Sequence, residues 1–234
     1  MNETIPPKEE RMTALNGLGS SRKRVEDARF TQGKGNYVDD IKLPGMLFGD
    51  FVRSPYAHAR VKSINTEAAL AVPGVHAVIT AADLEPLKLH WMPTLAGDVQ
   101  MVLADGKVLF QGQEVAFVVA ENRYAADDGI NAVEVEYEEL PVIVDPFKAE
   151  LEGAPVLRED IADKKEGAHG PRRHPNHIFT WESGDRDATE SVLAEADVVA
   201  EEMIYYHRTH PCPLETCGSV ASMDKVNGKL TVWG

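Results

Sequence analysis

The apolar run over residues 114–120 constrains the fold more than any other segment. It reads EVAFVVA, so apolar residues point to both sides of a strand, and such a strand suits a central position with both faces covered. Asn122 then offers an N-cap to a helix from Arg123 towards Val133. Residues 134–138 alternate charged with apolar residues, as a half-exposed strand does. The order strand, helix, strand predicts a sheet with a helix packed against it.

The segments before this run continue the same alternation. The predicted elements are strands over 46–53, 59–64 and 75–80 and a short helix over 67–70. Residues 54–56 would join the first two strands as a hairpin or a short crossover. Thr66 is expected to cap the helix, and Thr80 with Asp83 forms the pattern of a capping box. The alternation predicts an α/β or α+β domain over 26–147.

The character of the chain changes on either side of this domain. Residues 1–25 lack a sustained apolar period and predict a mobile N-terminal arm, while the charged stretch after the domain predicts a linker over 148–195. A second domain is expected over 196–234. A helix is predicted over 187–196, at the end of the linker, and strands are predicted over 198–206, 218–223 and 229–233. Asn227–Gly228 is typical of a tight turn between the last two strands. Residues 196–234 are too few to complete a hydrophobic core, so the second domain is expected to be truncated.

Charge and composition argue against several classes of function. The 234 residues carry a net charge of −14, which repels phosphate backbones and argues against nucleic acid as a partner. No apolar run approaches the length of a transmembrane segment, and the first residues lack the basic and apolar regions of a secretory signal. With two cysteines, Cys212 and Cys217, the chain does not depend on a disulfide framework. The sequence predicts a cytoplasmic protein.

Four potential metal ligands crowd into one stretch near the end of the chain: His207, His210, Cys212 and Cys217. Zinc sites usually separate two close pairs of ligands by roughly a dozen residues, so this spacing favours a packed turn over a metal site. Glu215 in the same stretch could act as an acid or base, because apolar surroundings raise the pKa of a carboxylate. A glutamate that accepts backbone hydrogen bonds is the commoner case.

Other groups of polar residues could also carry chemistry. Gly33–Lys34–Gly35 departs from the dinucleotide-binding pattern, since Val38 stands at its last glycine position, so a tight turn that places Tyr37 is favoured. The Asp39–Asp40 pair could bind a cation, although adjacent carboxylates on a loop usually only solvate it. A basic island is expected to dock on an acidic partner or another domain. It consists of His169, Arg172, Arg173, His174 and His177. The residues alone assign no catalytic, cofactor-binding or metal-binding side chain.

Several strings carry a resemblance to a known family. They are RVED (24–27), RFTQGKGNYVDD (29–40), LPGML (43–47), RSPYAHA (53–59), GQEVA (112–116) and YEELP (137–141). These strings resemble the large subunits of molybdenum hydroxylases, the family of xanthine dehydrogenase and aldehyde oxidase. The resemblance implies an α/β hammerhead domain followed by the beginning of a molybdopterin-binding domain. Two more strings, HPCPLETC (210–217) and ASMDK (221–225), are similar to the aerobic carbon monoxide dehydrogenases of this family.

This resemblance implies an oxidoreductase that converts CO and water to CO2. Its cofactor would be molybdopterin cytosine dinucleotide, with molybdenum bridged by sulfide to copper. Electrons would leave through an iron–sulfur small subunit with two 2Fe-2S clusters and an FAD-containing medium subunit, in a dimer of heterotrimers. In the family, the residues that hold the pterin and both metals lie beyond the position matching Gly234. No site residue is therefore carried over, neither to Cys212 nor to Cys217, and the chain alone is expected to be inactive.

Two classes of function stay open. The chain is either the N-terminal segment of such an oxidoreductase or a non-catalytic structural and interaction module left by a split or decayed gene. A related hydroxylase with another substrate is a further alternative, since the family selects its substrate through loops expected outside this segment.

Overall fold

The computed structural model describes residues 24–89, 91–93, 99–162, 166–167, 170–171, 173–214 and 216–234. The chain divides into two compact units, one of Gly45–Tyr205 and one that combines Met1–Pro44 with Tyr206–Gly234. None of the helices within the described ranges is long and apolar enough to cross a membrane. The predicted mobile arm over 1–25 lies, up to residue 23, outside the described residues.

The regular elements are short and follow one another closely. In chain order the helices are α1 (Asp27–Phe30), α2 (Glu67–Leu70), α3 (Ala81–Leu84), α4 (Arg123–Ala132), α5 (Glu159–Ala162) and α6 (Arg186–Ala194). The strands are β1 (Phe48–Arg53), β2 (Ala59–Asn65), β3 (Val75–Thr80), β4 (Trp91–Pro93), β5 (Val99–Met101), β6 (Lys107–Val108), β7 (Glu114–Ala120), β8 (Glu134–Glu139), β9 (Glu166–Gly167), β10 (Gly170–Pro171), β11 (Val220–Met223) and β12 (Leu230–Trp233). A single 3₁₀ turn covers Val38–Asp40 in the described part of the chain.

Two three-stranded sheets form the body of the larger unit. One has the strand order β1-β7-β3 and the other β6-β2-β8, while β4 with β5 and β9 with β10 form two-stranded pairs. Every described pairing is antiparallel. The fold is therefore the α+β alternative of the two that the sequence left open.

Strand β7 lies in the middle of its sheet, with the bounds that the sequence predicts. Val118 is paired with Asp50 of β1 on one side and with Val78 of β3 on the other. Full burial is found for four of its residues, Val115, Ala116, Val118 and Ala120. Phe117 and Val119 are only half-buried, so the expectation of a fully buried strand was wrong. On that face the Phe117 ring contacts Phe51, with ring centroids 4.7 Å apart.

Helix α4 packs against this sheet through a glycine. Asn122 caps the helix as predicted, since its side chain accepts a hydrogen bond of 2.9 Å from the Ala125 amide. A Cβ placed on Gly129 would lie 2.8 Å from Val118 Cγ1 and 2.9 Å from Val75 Cγ2. A glycine that intrinsically weakens a helix therefore allows the close approach that covers β7.

Two local predictions about the first strands were wrong. The hairpin alternative for β1 and β2 was wrong, because each pairs with strands that come later in the chain; the short connection over 54–58 crosses from one sheet to the other. The Thr66 side chain makes no capping hydrogen bond, and Asn65 Oδ1 accepts from the Glu67 amide instead.

The capping box before α3 is confirmed, and the hydrogen bond from the Thr80 amide lowers the pKa of Asp83.

The end of the chain confirms one prediction and corrects another. Strands β11 and β12 form an antiparallel hairpin, and Gly228 in its turn adopts a φ of +72°. Residues 198–206 form no strand, although their composition predicts one. Apolar β-prone residues form a strand only where a neighbouring strand pairs with their backbone, and no described strand pairs with this segment.

Val118→Asp tests the position of the core. Val118 is fully buried, so the substitution would place an unpaired carboxylate among apolar side chains. We expect a loss of several kcal/mol, comparable with the stability of a whole domain, and a chain without a cooperative thermal melt in circular dichroism. Val144→Asp is the matched control, because Val144 is 90% exposed and should tolerate the same change. A cooperative melt in both variants would contradict the assigned core.

Candidate functional site

Three of the strings that carry the family resemblance meet at one junction in the larger unit. The first string, over 53–59, is bound to the second, over 112–116, by reciprocal backbone hydrogen bonds. The Ser54 amide donates to the Gln113 carbonyl and the Gly112 amide donates to the Ser54 carbonyl, both at 2.9 Å. Arg53 Nη1 adds hydrogen bonds to the Gly112 carbonyl and the Glu114 carboxylate. Segments almost sixty residues apart in sequence are thereby fixed side by side.

Buried polar side chains close the turns on both sides of this contact. Gln113 is 5% exposed, and its Oε1 accepts a 2.7 Å hydrogen bond from the Leu109 amide. Ser54 is 2% exposed, and its hydroxyl donates to the Tyr56 carbonyl while accepting from the Tyr56 amide. Each side chain satisfies a backbone group that the turn would otherwise leave without a partner.

The third string, over 137–141, joins the junction through His58. His58 Nδ1 lies 2.6 Å from the Pro141 carbonyl oxygen, and the Leu140 amide donates to the His58 carbonyl. Because a carbonyl can only accept, Nδ1 carries the proton of a neutral ring and Nε2 is left as an acceptor. Nε2 is buried, and no group in the described part of the chain hydrogen-bonds to it.

Tyr56 and Tyr137 complete the junction with their rings. Their centroids are 5.2 Å apart, and both rings pack against the buried cluster that contains Ala59 and Val108. Burial raises the pKa of Tyr137, while a hydrogen bond with Ser54 acts in the opposite direction. Apart from His58 Nε2, these polar groups bond mainly to one another. The arrangement therefore holds the three strings, 53–59, 112–116 and 137–141, side by side.

The cluster of potential ligands near the end of the chain is less compact than its spacing suggests. His210 Nδ1 lies 3.1 Å from Cys212 Sγ, whereas Cys217 is exposed and unbonded to any other cysteine. No three His, Cys, Asp or Glu side chains among the described residues gather into a set that could hold a metal ion. The turn was expected to be buried or to lie at an interface; both cysteines are exposed in this chain, which contradicts burial, while the interface alternative stays a prediction. Glu215 lies outside the described residues.

The glycine and aspartate motifs near residue 35 form a local turn, as predicted. Gly33 has a φ of +68°, and Phe30 stacks on Tyr37 at a centroid distance of 5.7 Å. A Cβ on Gly35 would lie 2.9 Å from the Tyr37 ring. Asp40 accepts a hydrogen bond from the Tyr37 amide, so one carboxylate of the pair serves the turn itself.

Two described residues of the basic island make contacts within their own unit, and docking of the island on an acidic partner or another domain stays a prediction. Arg173 binds the Glu150 carboxylate through two nitrogens, at 2.8 and 3.1 Å, and lowers the pKa of Glu150. His177 is buried and its Nε2 lies 3.1 Å from the Thr180 hydroxyl. His169 and Arg172 lie outside the described residues.

Two residues that sequence reasoning missed hold the stretch after β8 in place. Asn176 donates to the Ala149 and Pro155 carbonyls and accepts from the Leu157 amide. Lys107, on β6, donates to the Leu157 carbonyl and to Glu159, and the second bond lowers the pKa of Glu159. An isolated asparagine or lysine carries no sequence signal for such contacts, since the partners lie some 20 to 50 residues away.

Two parts of the chain match models of known protein families. Residues 32–141 match the family model for the α/β hammerhead domain of aldehyde oxidase and xanthine dehydrogenase. Residues 169–234 match the model for a molybdopterin cofactor-binding domain.

Curated relatives match almost the whole chain. The carbon monoxide dehydrogenase large chain of Afipia carboxidovorans is 68% identical over 229 residues, which cover 98% of this chain and 28% of the relative. The corresponding large chain of Hydrogenophaga pseudoflava is 61% identical and is covered to 29%. The chain therefore spans less than a third of the length of these relatives.

Solved structures show the same fold. CO dehydrogenase from Oligotropha carboxidovorans superposes with a TM-score of 0.85 at 68% identity, over 98% of this chain and 28% of that one. Quinoline 2-oxidoreductase from Pseudomonas putida 86 superposes with a TM-score of 0.72 at 33% identity, over 91% of this chain and 26% of that one.

Gln113→Leu tests whether the buried junction depends on its side-chain hydrogen bond. The substitution keeps the approximate volume but leaves the Leu109 amide without its acceptor, so we expect a loss of about 1–3 kcal/mol in the free energy of unfolding, measured by urea titration. Gln111→Leu is the control, since Gln111 is exposed at the tip of the same turn and should change stability little. Equal effects of the two substitutions would contradict the structural role of Gln113.

Proposed function

Because the chain belongs to the aldehyde oxidase and xanthine dehydrogenase family, we propose that it is the N-terminal segment of the large subunit of an aerobic, molybdenum-dependent carbon monoxide dehydrogenase. The observation that carries this proposal is the 68% identity to a carbon monoxide dehydrogenase large chain, which extends over nearly the whole chain. The match of residues 169–234 to a molybdopterin cofactor-binding domain supports the cofactor.

The proposed enzyme oxidises CO with water, so that each turnover yields CO2, two protons and two electrons. Molybdenum on molybdopterin cytosine dinucleotide, together with copper, would supply this chemistry. The electrons would pass to an iron–sulfur small subunit and then to an FAD-containing medium subunit, within a dimer of heterotrimers. We propose a cytoplasmic location, supported by two free cysteines in an acidic chain.

The described residues of this chain do not themselves fit the metal centre. They contain no grouping of three potential ligands, and the polar groups at the junction of 53–59, 112–116 and 137–141 are mostly bound to one another. We therefore derive no catalytic step from these side chains and place the residues that hold the pterin and metals in the remaining length of the large subunit. This segment contributes the hammerhead domain and the beginning of the cofactor-binding domain.

A hydroxylase of another substrate is the second candidate. Nicotine 6-hydroxylase large subunit from Paenarthrobacter nicotinovorans is 33% identical over 93% of this chain, so the fold alone does not select CO. The much higher identity to the carbon monoxide dehydrogenases favours CO over a heterocyclic substrate.

A segment exchange tests the proposed function. This chain would replace the matching residues of the Afipia carboxidovorans large chain, and CO-dependent dye reduction would be measured on the purified enzyme. We expect an assembled, molybdenum-loaded enzyme that retains most of the parent's activity, because the buried contacts of the hammerhead domain should be compatible. The matching segment of the nicotine 6-hydroxylase subunit is the control and should impair assembly. A loaded chimera without CO oxidation would contradict the proposal.

The isolated 234-residue chain provides an independent test. We expect it to purify without stoichiometric molybdenum or copper and to reduce no dye with CO, because the cofactor-holding residues are placed elsewhere in the subunit. Metal analysis by mass spectrometry and the same dye assay measure both quantities. Stoichiometric metal, or turnover above background, would show that this segment holds a complete site and would contradict that placement.

A further inference from the structure

The turn between β11 and β12 presents an asparagine directly before a glycine. Asn227 and Gly228 are both exposed, and Gly228 adopts a φ of +72°, in the left-handed region that favours glycine. A Cβ placed on Gly228 would meet no atom within 4 Å. The backbone beside the Asn227 side chain is therefore open to solvent on its glycine side.

An asparagine side chain can react with the backbone amide nitrogen of the next residue. The nitrogen attacks Cγ, a five-membered imide ring closes, and the side-chain nitrogen leaves as ammonia. A side chain on the next residue obstructs this ring closure, and glycine has no side chain. Gly228 therefore gives Asn227 the least hindered nucleophile that a backbone can supply.

The hydrogen bonds of the turn act on both reacting groups. The Lys229 amide donates to Asn227 Oδ1 at 2.8 Å. Negative charge develops on this oxygen when Cγ is attacked, so a donor already placed there stabilises the transition state. The Gly228 amide donates to the Asp224 carbonyl at 2.8 Å, and this bond must open before the nitrogen can attack. Asp224 Oδ1 helps to keep the turn closed, because it accepts from the Val226 amide at 2.8 Å.

Asn36 provides a matched reference within the same chain. It is exposed and lies outside helices and strands, and the amide of the next residue, Tyr37, donates to the Asp40 carboxylate at 3.0 Å. Both asparagines thus precede an amide that is held by an acceptor. They differ in the residue that carries this amide, which is a tyrosine after Asn36 and a glycine after Asn227.

We propose that Asn227 is a modification site, at which the chain deamidates through a cyclic imide and takes up water. The Gly228 nitrogen forms a bond to Cγ, the Cγ–Nδ2 bond breaks, and the amide proton leaves with Nδ2 as ammonia. Water then opens the ring at either carbonyl carbon and leaves aspartate or isoaspartate. No oxidation or reduction is involved, and the site does not depend on the proposed CO chemistry. Isoaspartate lengthens the backbone by a methylene in the turn that joins β11 to β12.

The test follows deamidation in the full 234-residue chain during incubation at neutral pH. Peptides that contain Asn227 and Asn36 are separated into asparagine, aspartate and isoaspartate forms and quantified against time by mass spectrometry. We expect Asn227 to convert roughly tenfold faster than Asn36, which corresponds to a difference of only about 1.4 kcal/mol in barrier height. Equal rates at the two positions would overturn the proposal. Products without isoaspartate would overturn it as well, since direct hydrolysis gives only aspartate.

Asp224→Ala tests the role of the turn. The substitution removes the acceptor of the Val226 amide, so the turn should open more often and the Asn227 rate should rise about fivefold, the effect of losing one hydrogen bond. Asp224→Ser is the matched control, because its hydroxyl keeps an acceptor while the charge is removed, and it should leave the rate close to that of the unaltered chain. An unchanged rate in Asp224→Ala, or an equal rise in both variants, would contradict the control of the reaction by the turn.

Discussion

The burial of strand β7 is the constraint on which the rest of the larger unit depends. The strand pairs on both sides, with β1 and with β3, and its buried valines and alanines contribute to separate apolar clusters. Helix α4 can cover it only because Gly129 has no Cβ to collide with Val118. Removing these apolar groups from water provides the main stabilisation, and the backbone ladders satisfy the polar groups that are buried with them.

The beginning of β7 connects this core to the junction of the family strings. Gln113 and Gly112 immediately precede the strand and bind Ser54, while Glu114 at its first position accepts from Arg53. Farther along the chain, Pro141 accepts from His58. Short strings that look like unrelated motifs in the sequence are thus parts of one hydrogen-bonded structure. Their described hydrogen bonds hold distant segments in position.

The stretch between the two predicted domains shows how polar contacts can order a segment that has few apolar residues to bury. Asn176 satisfies three backbone groups, Arg173 pairs with Glu150, and Lys107 ties the Leu157 carbonyl to β6. Side chains of this kind are half-buried at most positions, so each contact contributes modestly. Together they fix the described residues 149–160 and 173–177 in positions that composition alone does not predict.

The sequence by itself determined the local elements: the bounds of β7, the capping of α4 by Asn122, the Thr80–Asp83 capping box and the hairpin around Asn227–Gly228. These features depend on apolar periodicity and on hydrogen bonds within a few residues, which a sequence displays directly. Only the tertiary structure decided that β1 and β2 separate into different sheets, that residues 198–206 remain outside any strand, and that Gly129 is a packing residue. Such outcomes depend on which distant segment supplies a hydrogen-bonding or packing partner, and that choice is made by the energy of the whole core.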